Sequence, residues 1–167
     1  MSGFYERGSF MSLEEKIVKE LQKRAFTITT AESCTGGLLA GRILNVSGAS
    51  EVYNEGYITY SNESKERLLN VLHDTLERYG AVSRQTAEEM SRGAAHAAKA
   101  DIGLSTTGIA GPGGGTPEKP VGLIYVGCSI NGAVTVQECR FQGNREENRN
   151  GAVEAALELL WKILSES

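Results

Sequence analysis

A chain of 167 residues with 40% hydrophobic and 23% charged content has the size and apolar supply of one globular domain with one core. Seventeen basic against twenty-one acidic residues give a net charge of -4, which leaves no sequence-wide positive field for a nucleic-acid backbone. No apolar run reaches the roughly 18 to 20 residues that span a bilayer, and MSGFYERGSF lacks the apolar segment of a secretory signal, so no membrane partner and a cytoplasmic setting are expected.

Residues 1–11 have no periodicity and end at a second methionine, Met11, so they read as a disordered or alternative-start leader to a single domain over 12–167. Ser12 and Glu15 make a capping-box pattern, and Leu13, Ile17, Val18, Leu21 and Ala25 follow at helical spacing. The β-branched stretch 26–30 predicts a strand, and Gly36-Gly37 with the apolar run behind them predicts a turn into a helix over 35–46. A second strand falls within 52–60. A helix follows over 62–72, with Leu68, Leu69 and Leu72 on its buried face. Ser83 can cap an alanine-rich helix to Lys99, and residues 102–106 make a third strand.

Residues 108–120, GIAGPGGGTPEKP, are too rich in glycine and proline for regular structure, and a loop of that length in a small domain is usually functional or disordered. Strands over 121–130 and 133–141 flank Asn131-Gly132, a strong hairpin signal, which sets Cys128 opposite Thr135 and out of register with Cys139. All three cysteines are therefore expected to be reduced. The last helix covers 145–164. Alternating strands and helices imply an α/β fold with helices packed on a mixed, mainly parallel sheet carrying one antiparallel hairpin.

Two residues stand out chemically. Ser33, in Ala31-Glu32-Ser33-Cys34-Thr35-Gly36-Gly37, leaves a strand just ahead of a helix whose free N–H groups, from Thr35 and Gly36 onward, suit an oxyanion. A plain helix cap explains the same residues. Lys65 opens its helix, where the dipole disfavours an ammonium and makes the amine a better base, although a solvated surface lysine fits as well. Cys34 is a rival nucleophile. The 108–115 glycines could form an anion nest or only a mobile crossover. Arg145 and Arg149 open the last helix against the dipole preference, either to recruit a ligand anion or to pair with Glu146, Glu147 or Glu154. His73 and His96 lie in no metal-ligand spacing, so neither metal nor cofactor is expected.

Taken together, AESCTGG at 31–37, GYITYSNESK at 56–65, TGIAGPGGG at 107–115 and KPVG at 119–122 resemble the C-terminal domain of the CinA family, over nearly the whole chain. The resemblance implies a three-layer α/β/α fold and a nicotinamide-nucleotide amidohydrolase: nicotinamide mononucleotide to nicotinate mononucleotide and ammonia, in pyridine-nucleotide salvage. It implies Ser33 as nucleophile, Lys65 as base and Tyr60 as a supporting hydroxyl. Thr107, Gly108, Gly111, Gly113, Gly114 and Arg145 become contacts to a small pyridine nucleotide, in a homo-oligomer. A non-catalytic nucleotide-binding regulator is the alternative. The family's Gly-Asp-Arg motif reads Gly143-Asn144-Arg145 here, which bears on phosphate anchoring.

Overall fold

The computed structural model describes residues 10–167, so most of the expected 1–11 leader lies outside the described residues. Helix α1, Leu13–Arg24, starts where Ser12 accepts the Glu15 N–H and buries Ile17, Val18 and Leu21. Strand β1 is Ile28–Glu32, two residues later than the β-branched pattern suggests, because the Phe26 N–H still closes the end of α1 on the Leu21 carbonyl. The shift matters: Glu32 becomes the last strand residue and Ser33 the first beyond it.

Helix α2 is short, Leu38–Leu44, where the sequence suggests 35–46. Gly36 and Gly37 both have positive φ (54° and 106°), a conformation open to glycine, and the helix cannot begin until they are passed. A 3₁₀ turn at Ala49–Glu51 leads to β2, reduced to Tyr57–Ile58. Helix α3, Asn62–Leu69, stops at Asn70, which takes a left-handed φ of 55° and returns its N–H to the Glu66 carbonyl. A separate helix α4, His73–Tyr79, follows. The helix expected to reach Leu72 therefore ends at Leu69, and its buried face is Ser64, Lys65 and Leu69; Leu68 and Leu72 are exposed.

Helix α5, Arg84–Ala98, is capped by Ser83 as expected, and β3 is Ile102–Gly108. Strands β4, Leu123–Ile130, and β5, Ala133–Arg140, turn on Asn131 and Gly132, both at positive φ, and Cys128 pairs with Thr135. All three cysteines are free and buried. Helix α6, Arg145–Ser165, closes the chain.

The sheet order is β2-β1-β3-β4-β5. It is mixed and evenly divided: β1 runs parallel to β2 and β3, while β3, β4 and β5 are antiparallel. Helices α1, α2 and α6 pack together on one face, and α5 covers the other with α3 and α4 against it. The first face holds the larger core, from Ile17, Leu21 and Ile43 to Leu157 and Leu160; the second is built on Leu69, Met90 and Ala94. Among the described residues, no helix is long and apolar enough to cross a membrane.

Close approach of α5 to α3 depends on Gly93, where an added Cβ would lie 1.9 Å from the Leu69 carbonyl oxygen. Gly93→Ala would gain about 1 kcal/mol in helix propensity. Overpacking against rigid backbone costs about 1–3 kcal/mol or more, so urea unfolding is expected to show net destabilisation. An unchanged midpoint would mean that the α3–α5 contact is loose.

Candidate active site

The carboxyl ends of β1 and β3 form the crevice where ligands bind in open α/β sheets. Ser33 sits there because its N–H extends the β1–β3 ladder, bonding the Thr106 carbonyl at 3.0 Å. Lys65 reaches it from α3 on the opposite layer from α2: its Nζ lies 3.0 Å from Ser33 Oγ and 2.7 Å from the Thr59 carbonyl, with the Tyr60 carbonyl at 3.5 Å. Ser33 is 8% exposed and Lys65 1%. Burial lowers the Lys65 pKa from 10.5 to about 8, against a smaller opposing influence of Cys34. Desolvation is thus the main cause, in a lysine that does lie near the start of α3 as the sequence suggests.

A neutral amine has two N–H groups and one lone pair. With the N–H groups directed at the Thr59 and Tyr60 carbonyls, the lone pair is left for the Ser33 hydroxyl. Cys34, the rival nucleophile, lines the same cavity as Ser33, but burial pushes its thiol up to about 12, which leaves little thiolate at neutral pH.

The N-terminus of α2 is already occupied. Fully buried Glu32 accepts the N–H groups of Leu39 (2.8 Å) and Ala40 (3.1 Å), and the Thr35 hydroxyl at 2.6 Å. Thr35 has one hydroxyl proton, spent on Glu32, so Thr106 Oγ1 donates to Thr35 Oγ1 at 2.7 Å. The Gly36 N–H bonds the Ser33 carbonyl at 3.2 Å, closing a turn around the serine. Of the two backbone donors expected from sequence, Gly36 is therefore engaged, while Thr35 N–H has no backbone acceptor among the described residues.

A cavity of about 280 Å³ opens over Ser33 and Lys65 and is lined by Tyr60, Thr107, Gly108, Gly111, Gly113, Gly114 and Arg145. Its apolar wall joins Ile109 and Ala110 of the glycine-rich motif to Ala81 and Val82, which carried no signal in sequence because such residues are chemically silent until packing exposes them. Thr107 commits its proton to the Ala81 carbonyl at 2.7 Å. The Tyr60 hydroxyl lies 3.5 Å from the Arg145 guanidinium, while the Tyr60 carbonyl faces Lys65. Arg145 also donates to the Gly111 carbonyl at 2.8 Å, which ties α6 to the glycine-rich loop.

Asn144 caps α6 in a complete capping box with Glu147. Asn and Asp cap about equally well. Asparagine at this position therefore keeps the local geometry and removes one negative charge beside Arg145. Arg149 points neither at the cavity nor at a glutamate: it donates to the Cys34 carbonyl at 2.9 Å and the Thr35 carbonyl at 3.1 Å. Glu154, one of its expected partners, pairs with Arg42 instead.

This fold and site define a class: an α/β/α domain whose strand-end serine meets a buried lysine beneath a glycine-rich loop. The sequence model of the CinA C-terminal domain family matches residues 10–164, and the chain belongs to that family. It is 57% identical over 153 residues to a Clostridium botulinum protein named for competence-damage induction, and 54% identical to a CinA-like protein of Kosmotoga olearia. Each alignment covers 92% of this chain and 37% of the relative, so the chain spans just over a third of their length. Among solved structures, a competence/damage inducible protein from Agrobacterium tumefaciens superposes with a TM-score of 0.88 at 42% identity, covering 92% of this chain and 93% of that one. A CinA superfamily protein from Klebsiella pneumoniae gives 0.89 at 35% identity, over 93% and 97%.

Proposed function

We propose that the chain is an amidohydrolase that converts nicotinamide mononucleotide to nicotinate mononucleotide and ammonia. The observation that carries this reading is the 3.0 Å contact between Ser33 Oγ and a lysine amine whose pKa is lowered to about 8. Neutral Lys65 takes the Ser33 proton as Oγ attacks the carboxamide carbon, and the Thr35 N–H faces the oxyanion. Lys65 returns the proton to the departing nitrogen as ammonia leaves. Water, deprotonated by the same amine, then cleaves the ester and frees Ser33. Arg145 and the backbone of Gly113 and Gly114 offer the cavity's ligands for a phosphate, with the pyridine ring against Ile109 and Ala110.

Purified protein is expected to release ammonia from nicotinamide mononucleotide; binding without turnover would favour a regulatory module. The base works unprotonated, so kcat/KM should rise as pH climbs towards about 8 and level off above it. At pH 7 about a tenth of the sites would hold neutral Lys65 by this value. A profile flat from pH 6 to 9 would remove Lys65 from the role of base.

A further inference from the structure

We propose that Arg149 is a positioning residue for the oxyanion donor: it turns the peptide units on either side of Thr35 so that the Thr35 N–H faces Ser33, and it polarises that N–H. The inference rests on the amidohydrolase reading and deepens it.

Geometry carries the case. Arg149 belongs to α6, on the face of the sheet that also holds α1 and α2. Its Nε and one terminal nitrogen reach the carbonyls of Cys34 and Thr35 at 2.9 and 3.1 Å, two successive acceptors grasped by one planar fork. In a trans peptide the C=O and the following N–H point in opposite directions. A Cys34 carbonyl drawn towards α6 therefore sends the Thr35 N–H away from α6, towards the layer from which Lys65 reaches Ser33. The Thr35 carbonyl, drawn the same way, sends the Gly36 N–H to the Ser33 carbonyl and closes the turn.

Charge adds to orientation. A cation hydrogen-bonded to a carbonyl withdraws electron density through the amide and strengthens the N–H at its other end, the cooperativity expected of linked hydrogen bonds in a low-dielectric site. The neighbourhood is built for this contact. Gly36, at φ 54°, has its would-be Cβ 3.4 Å from the Arg149 terminal nitrogen, so the turn lies directly against the guanidinium. Glu147, a candidate surface partner for the arginine, is instead engaged by the Asn144 N–H.

The test uses the full chain, nicotinamide mononucleotide as substrate, nicotinate mononucleotide as ground-state ligand, and the analogue with an aldehyde in place of the carboxamide, whose hemiacetal with Ser33 presents the oxyanion. Losing an oxyanion donor costs about 10²- to 10³-fold in kcat. Misdirecting one should cost somewhat less, so Arg149→Met is expected to lower kcat by about 10- to 100-fold, with KM within about twofold. Affinity for the aldehyde should fall by the same factor while affinity for the product holds. Arg149→Lys keeps the charge without the fork and should fall between the two, which keeps the test open if the methionine variant fails to fold.

Wild-type kcat in both variants, or equal weakening of aldehyde and product, would overturn the inference and leave the amidohydrolase reading intact. A wild-type protein that releases no ammonia from nicotinamide mononucleotide removes that reading, and this inference with it.

Discussion

Ser33→Ala and Lys65→Met are each expected to cut ammonia release by about three to six orders of magnitude, with little further loss in the double variant. In the proposed mechanism a nucleophile and its base, 3.0 Å apart, act in one step, so removing either removes the step. Cys34→Ala serves as the control. Its thiol is held up at about 12 and should be dispensable apart from packing, since Cys34 is buried. Steady-state ammonia assays on the four variants decide the matter. Losses from Ser33→Ala and Lys65→Met that simply add, or a dead Cys34→Ala beside an active Ser33→Ala, would reverse the assignment.

Glu32→Ala is expected to destabilise the fold by roughly 3–5 kcal/mol, the lower part of what orphaning three buried donors at about 1–3 kcal/mol each would cost. The carboxylate is completely enclosed and gathers three donors, from Thr35, Leu39 and Ala40. Each donor left unpaired costs about 1–3 kcal/mol, less where water enters the space vacated. The helix N-terminus also loses the negative charge that complements its dipole. Glu32→Gln can keep an acceptor oxygen for Thr35 and Leu39 while its NH₂ faces the Ala40 N–H alone, so it should fall between wild type and Glu32→Ala. Urea unfolding of the two variants measures this, with activity falling alongside because Ser33 is the adjoining residue. A Glu32→Ala protein as stable as wild type would mean that the network contributes nothing net.

Much of the fold was legible in the sequence where the signal is local. Ser12 and Ser83 begin their helices as their hydroxyls suggest, and Asn131-Gly132 fixes a hairpin register down to the pairing of Cys128 with Thr135. Errors arose where backbone conformation overrides side-chain pattern. Leu68, Leu69 and Leu72 look like one helical face, yet Asn70 adopts a left-handed conformation between them, ends α3, and leaves Leu68 and Leu72 exposed. Positive φ at Gly36 and Gly37 delays α2 in the same way.

The site divides along the same line. The sequence by itself determined which residue types the chain offers, a serine at a strand end, a lysine early in a helix and a glycine-rich loop, together with the family motifs that contain them. Only the tertiary structure decided what they do to one another. The Lys65 amine loses its affinity for protons chiefly because packing takes it out of water. In sequence, Glu32 is only a member of a motif, beyond the expected strand, and Arg149 has a ligand anion or a nearby glutamate as its candidate partner. They become the two grips on the Ser33 turn only when α2 folds over one and α6 over the other. Periodicity and capping depend on neighbours a few residues apart, whereas desolvation and a hydrogen bond across 115 residues depend on which layers close over a side chain.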